Sequence, residues 1–417
     1  MTYIHIHNGT LIDGTGAAAI PDANVLIHNE QIMSVGASLE NATVPTGADG
    51  LKQIDAKGGY ILPGLIDSHV HLIMQLESIE RRISNPFSLK FYKSIQYMRR
   101  TLDAGITSVR DAGGADLGMK HAVEQGIVQG PRMQISTAVL TITGGHVDFW
   151  NPSGIDTPLL GSYPGMPDGV CDGVEEVRKK VREVLRAGAE VIKVCSTGGV
   201  MSPTDHPNFT QFTEEELRVM VQEGQFRNGV KVMAHAQGSE GIKNAVRAGI
   251  HSIEHGVYLD DEAIDLMLEN GTFLVPTLLA PIAVVEISES LGTIPEYALK
   301  KAKEVVEDHA ESIARAYQAG VKIAMGTDAG VMPHGTNLRE LGLMCQIGMS
   351  PMESIVATTK TAAECLGWDD KVGTLEKGKL ADLIITKTNP LTDIQSLENN
   401  DNIVFVMKGG EVLKDIR

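Results

Sequence analysis

His69-Val70-His71 sets two imidazoles two positions apart. On a strand, residues i and i+2 share a face, so both rings could hold one cation. Imidazole suits Zn, Fe, Ni or Co. The spacing alone is a weak signal. His5-Ile6-His7 repeats it, and there exposed polar positions on a β strand explain it. Lys193 lies among apolar neighbours in Glu190-Val191-Ile192-Lys193-Val194-Cys195. A cation buried in such a strand is costly, and burial favours the neutral amine. A neutral amine can add carbon dioxide to form a carbamate, whose two oxygens can bridge two metal ions. The plainer reading pairs Lys193 with a carboxylate such as Asp328, or lets it snorkel to the rim. His235 in Ala234-His235-Ala236, His255 in Glu254-His255-Gly256 and Asp328 in Thr327-Asp328-Ala329-Gly330 complete the set. Taken singly, each reads as a satisfied core histidine or a turn.

The elements around them make the set more than a coincidence. From residue 61 onward, short apolar strands alternate with amphipathic helices. The strands begin at Ile61 and recur at Ile106 to Arg110, Met133 to Thr137, Val191 to Cys195, Val230 to Ala234, Ser252 to Glu254, Thr272 to Pro276 and Lys322 to Met325. Between them, Glu175 to Ala187 carries Val177, Val181, Val184 and Leu185 at helical spacing, and Thr213-Glu214-Glu215-Glu216 is a capping box that opens a helix. Eight such units predict an α/β fold, a (β/α)8 barrel over residues 61–369. The six residues then fall at the C-terminal ends of strands one, four, five, six and eight, the barrel face where active sites form. The segment 139–173, rich in Gly and Pro, is expected to be a long active-site loop. Residues 1–60 and 370–417 read as strands and turns, including a hairpin across Asn29-Glu30, the strand Ala381 to Ile385 and a second hairpin at 403–411. They are expected to join in one small β-sandwich domain.

Composition narrows the function classes. The chain has 417 residues, 42% apolar and 21% charged, with a formal net charge of -17. That balance disfavours nucleic acid and anionic membrane surfaces as partners. No apolar run reaches the length of a membrane span, and the start lacks a signal-peptide pattern. Four scattered cysteines without a C-x-x-C pair fit a reducing compartment. The expectation is a cytoplasmic protein acting on a small molecule, as a homo-oligomer. Cys195 reads as a buried small residue near the mouth, and Arg178-Lys179-Lys180 as a solvated helix face.

The H-x-H, the strand-four lysine, the two single histidines, the strand-eight aspartate and the split β domain together resemble the amidohydrolase superfamily, in its binuclear subtype, over essentially the whole chain. The resemblance implies two divalent metal ions, with zinc expected. His69, His71 and Asp328 would hold one and His235 and His255 the other, with a carboxylated Lys193 and a hydroxide between them. It also implies that Asp328 accepts a proton and passes it to the leaving nitrogen.

The nearer resemblance is to dipeptidases that cleave Xaa-Pro, or Xaa-Arg and Xaa-Lys. It is carried by Arg110-Asp111-Ala112-Gly113-Gly114, Thr143-Gly144-Gly145-His146, Gly198-Gly199-Val200-Met201-Ser202-Pro203 and Val406-Met407-Lys408. His146, Arg110 and Lys90 are candidates to hold a substrate carboxylate, and His146 is the best of them. Gln237 stands where prolidase-like members have Tyr. The run Asp328-Ala329-Gly330, His334-Gly335 and Asn337 looks more like members that cleave before Arg or Lys. The expected reaction is hydrolysis of an amide bond in a dipeptide or N-acyl amino acid. The alternatives are a cyclic amide of imidazolone or lactam type, an aryl amide or urea, and a metal- or small-ligand-binding protein without catalysis.

Overall fold

A computed structural model describes residues 3–39, 51–151, 153–157 and 160–417. Parts of the N-terminal strand region and three positions of the 139–173 loop therefore lie outside the described residues.

Sixteen strands are found among the described residues. They are β1 (Tyr3–Leu11), β2 (Ile20–His28), β3 (Gln31–Gly36), β4 (Leu51–Asp55), β5 (Tyr60–Pro63), β6 (Leu65–Val70), β7 (Ile106–Asp111), β8 (Arg132–Ile135), β9 (Val139–Leu140), β10 (Val191–Cys195), β11 (Lys231–Ala236), β12 (Ser252–His255), β13 (Phe273–Val275), β14 (Leu383–Thr386), β15 (Ile403–Lys408) and β16 (Glu411–Asp415). β6, β7 and β8 form one parallel sheet, and β9 to β13 form another. Their residues are buried almost throughout, with Arg132 and Gln134 on β8 half-buried. Both sheet faces are therefore covered, which is why these strands read as continuous apolar runs. Helices follow the strands, and Gly173–Arg186 buries Val177, Val181 and Val184 as its spacing predicts. The Thr213 capping box is present, with Glu216 returning the bond.

Two expectations are corrected. The strand beginning at Ile61 is two strands. β5 pairs with β14 and β1, while β6 pairs with β7. The chain turns between them at Gly64, where a Cβ would lie 2.2 Å from Thr107 Oγ1. The segment expected as the eighth strand is not a regular strand. It makes single parallel bridges, Ile323 to Leu274 and Ala329 to Val70. Its hydrogen bonds are shared between two neighbours, Ala324 N to Leu274 O (2.9 Å) and Ser68 N to Met325 O (2.9 Å), so it links the two parallel sheets without laddering onto either.

The chain ends meet in one eight-stranded sheet, ordered β16-β15-β14-β5-β1-β2-β3, with β4 also on β1. Both expected hairpins are present. Ile4, Ile6, Val25, Ile27, Leu383, Ile385 and Phe405 form a cluster of their own, whereas Leu62, Ile384 and Val406 join the main core. Residues adjacent in sequence thus serve opposite faces, as a strand's period of two requires. His5 and His7 are half-buried, not exposed, and His5 Nε2 bonds Asn24 Oδ1 at 2.9 Å.

Candidate metal centre

His69, His71, Lys193, His235, His255 and Asp328 all line one pocket of about 90 Å³. The coming together of the whole predicted set is the main structural result. Ligand atoms of His69, His255 and Asp328 lie within 4.8 Å of one another. Asp328 Oδ1 is 3.2 Å from His71 Nε2 and 3.6 Å from His69 Nε2. The His235 and His255 ring centroids are 4.5 Å apart.

Each imidazole has one nitrogen tied outward, which frees the other. His69 Nδ1 bonds Glu254 Oε2 at 2.7 Å, His71 Nδ1 bonds the Gly113 carbonyl at 2.8 Å, and His255 Nδ1 bonds Thr277 Oγ1 at 2.7 Å. His235 is tied by the other nitrogen, Nε2, to the Gly198 carbonyl at 3.0 Å. Three rings thus offer Nε2 to the centre and His235 offers Nδ1. Partners of this kind fix ring orientation and tautomer for metal binding.

The electrostatics fit a cation. Burial, with the neighbouring cationic groups, holds His69, His235 and His255 well below the usual histidine range, so they are neutral and able to act as ligands. Burial would lower His71 too, but the Asp328 carboxylate outweighs it and raises the ring above its ordinary value. Burial pushes Asp328 up, yet the His71 ring beside it and the charges of His69, His71 and Lys193 leave it below the usual carboxylate range. Asp328 Oδ1 is buried and, beyond its ion pairs with His69 and His71, has no partner among the described residues. A buried acceptor so placed among imidazoles is what a bound cation would satisfy. His255 and Asp328 both sit in the left-handed backbone region, at φ 74° and 62°. That conformation is costly for non-glycine residues and clusters at functional sites.

Lys193 is 3% exposed and lines the pocket. No hydrogen bond or ion pair of its ammonium is found among the described residues, so the expected alternative of a carboxylate pair does not form. Burial lowers its pKa against the pull of Glu254, Cys195 and Asp328, which favours the neutral amine. Cys195 also lines the pocket, but burial pushes its thiol up to about 12, so no thiolate nucleophile is available.

Of the predicted substrate-binding residues, His146 and Gln237 line the pocket and Arg110 does not. Arg110 is a correction. It is 1% exposed, with Nη2 on Glu254 Oε1 (2.8 Å) and Nε on the Ser68 carbonyl (2.7 Å). Its inward direction on β7 points it into the packed interior, where it neutralises Glu254. Lys90 lies in an adjoining cavity, its ammonium 4.2 Å from the Tyr163 ring centre and 4.4 Å from that of Phe87. His146 stacks on His235 with centroids 4.3 Å apart, and its Nδ1 faces Ser202 Oγ (2.7 Å) and Asp205 Oδ2 (3.3 Å). Gly199 is required beside it, since a Cβ there would lie 2.4 Å from the ring. Gln237 Oε1 is buried with no partner. His334 and Asn337 are scaffold, His334 Nε2 bonding the Met74 carbonyl and Asn337 Nδ2 bonding Asp67 Oδ2.

Sequence reasoning missed the supports. Glu254 joins Arg110 to His69. Asp111 accepts from the amides of Leu72, Gly113 and Ala115 and so shapes the loop whose carbonyl holds His71. Asp67 binds Thr327 and Asn337, steadying the loop that carries Asp328. The only signal was a charged residue within an apolar strand, Glu254 beside His255 and Asp67 before His69.

A family model described as the Amidohydrolase family matches residues 60–413. Ochratoxinase from Aspergillus niger is 35% identical, over 98% of this chain and 86% of that protein. A crystal structure of a Xaa-Pro dipeptidase with methionine in its active site is similar at a TM-score of 0.88 and 35% identity, covering 99% of this chain and 100% of that one. A prolidase complexed with N-methylphosphonate-L-proline is similar at a TM-score of 0.90 and 34% identity, with the same coverage.

Proposed function

The chain belongs to the amidohydrolase family and hydrolyses amides, and we propose that its substrates are dipeptides or N-acyl amino acids with apolar side chains. One observation carries this reading. The pocket has a metal-competent floor with a single carboxylate, Asp328, and its remaining walls are largely apolar, including Val200, Val257, Ala280, Val284 and Val331. A cationic side chain seated against these walls would find no acidic partner there beyond Asp328, so the Xaa-Arg or Xaa-Lys reading is the less favoured one. Support also comes from the similar prolidase, which is complexed with N-methylphosphonate-L-proline, a derivative of an apolar amino acid.

His69, His71, His235, His255, Lys193 and Asp328 would hold two divalent cations, with zinc suited to this nitrogen and oxygen set. Bound there, the cations would supply Lewis acidity and lower the pKa of water toward neutrality. Asp328 takes up the proton released on attack at the carbonyl and delivers it to the leaving nitrogen. Its carboxylate, held ionised beside His71, is the group in the pocket able to do so. Gln237 Oε1 accepts a substrate N–H. His146, with Nδ1 engaged by Ser202 and Asp205, turns Nε2 to the substrate. The neutral Lys193 amine would add carbon dioxide through a new N–C bond and release one proton to solvent, giving a carbamate with two acceptor oxygens.

The test is a library of dipeptides, N-acyl amino acids and lactams, assayed on protein of measured metal content. Release of a neutral apolar residue from linear substrates is expected. Turnover of lactams alone would favour the cyclic-amide reading, and stoichiometric metal without any hydrolysis would favour a binding protein.

A further inference from the structure

We infer that Arg82 binds the carboxylate of the substrate's leaving half. The inference deepens the function proposed above and rests on it. The pocket over the metal ligands holds about 90 Å³, while ligand sites commonly hold about 300–1,000 Å³. A dipeptide must therefore extend beyond it. Met74 and Leu160 are shared with an adjoining cavity of about 420 Å³, and Met201 is shared with a smaller hollow. Arg82 lines both of these spaces.

Arg82 has unpartnered N–H groups among the described residues. Its Nε and Nη1 are buried, and neither has a hydrogen-bond partner among the described residues. No carboxylate lies within ion-pair distance of it among the described residues. The nearby Glu77 is committed to Lys93 and to Asn85 Nδ2. The guanidinium carbon lies 5.6 Å from the Phe149 ring centre, so one face is set against an apolar surface. A partly buried guanidinium without a counter-charge is costly unless an anion completes it. Carboxylate is the anion that dipeptides and N-acyl amino acids bring. The other guanidinium near the centre, Arg110, is spent on Glu254.

The experiment measures binding apart from turnover. Metal-loaded protein is titrated calorimetrically with N-acetyl-proline, N-acetyl-leucine and N-acetyl-phenylalanine, and with their carboxamides. At least one acid should bind roughly ten- to a hundredfold tighter than its amide, the range of a hydrogen bond to a charged group. Arg82→Met should erase that gap and Arg82→Lys restore part of it, with melting temperatures unchanged. A gap that persists in Arg82→Met, or no preference for any acid in the unaltered protein, overturns the assignment. Hydrolysis is scored separately on the same compounds. An Arg82-dependent gap without hydrolysis would refute the proposed function alone, and hydrolysis without the gap would refute the role of Arg82 alone.

Discussion

Glu254 Oε2 lies 2.7 Å from His69 Nδ1, and both side chains are fully buried. The other oxygen of Glu254 takes Arg110 Nη2 at 2.8 Å and Ser252 Oγ at 2.6 Å. One carboxylate thus converts a buried arginine into the support of a candidate metal ligand. It selects the His69 tautomer with hydrogen on Nδ1 and leaves Nε2 as the donor atom for a cation.

Replacing Glu254 with Gln removes the charge and lets the amide rotate. The variant is expected to bind metal about ten- to a hundredfold more weakly. Metal titration of activity, with metal content after dialysis, measures this. Unaltered affinity would show that Glu254 only neutralises Arg110.

Lys301 holds the loop that positions His146. Its ammonium donates to the carbonyls of Gly199 (2.9 Å), Ser202 (2.8 Å) and Asp205 (2.7 Å) and lies 3.2 Å from Asp205 Oδ1. Lys301→Met should lower kcat/KM about tenfold or more. In a His146→Ala background the same change should cost little, because residues acting through one group are not additive. Independent, multiplying losses would mean that Lys301 only stabilises the fold.

Leaving-residue preference follows from the pocket walls. Substrates releasing Leu, Phe or Pro should show kcat/KM at least about tenfold above those releasing Arg or Lys, since a buried cation needs a partner. A library ranked the other way would restore the basic-residue reading drawn from Asp328-Ala329-Gly330 and its neighbours.

Glu340 makes stability pH-dependent. It accepts from the amides of Leu278 (2.7 Å) and Leu279 (2.8 Å), but burial dominates and lifts its pKa from 4.5 to about 8. A raised carboxyl stabilises the fold fully below about pH 4.5, and that contribution is lost as pH rises through 8. Measured against Glu340→Gln, the melting temperature of the unaltered protein should fall steadily between pH 5 and 8. A difference that is constant over that window would show that the amide bonds keep Glu340 ionised.

The six central residues were legible in the sequence because five lie on or just past parallel strands, which can be read from apolar runs and the turns after them, and Asp328 follows an apolar run of the same kind. The end sheet was legible from alternation, as Ile384 and Ile385 facing different cores show. Arg110 was misread because an arginine near a strand end looks the same whether it meets substrate or a buried acid. Glu254 is 144 residues away in sequence, and only packing brings them together. The linking segment at 321–329 was misread for a related reason. Its apolar residues are those of a strand, but its hydrogen bonds are split between Leu274 and Ser68.

Lys193 tests the account most directly, because a buried lysine without a partner has no evident structural use. Metal content and amide hydrolysis should be measured together on the unaltered protein and on Lys193→Met. The account predicts two divalent ions per chain and hydrolysis in the first, and loss of both hydrolysis and one ion in the second. Two ions and full hydrolysis in Lys193→Met would contradict it.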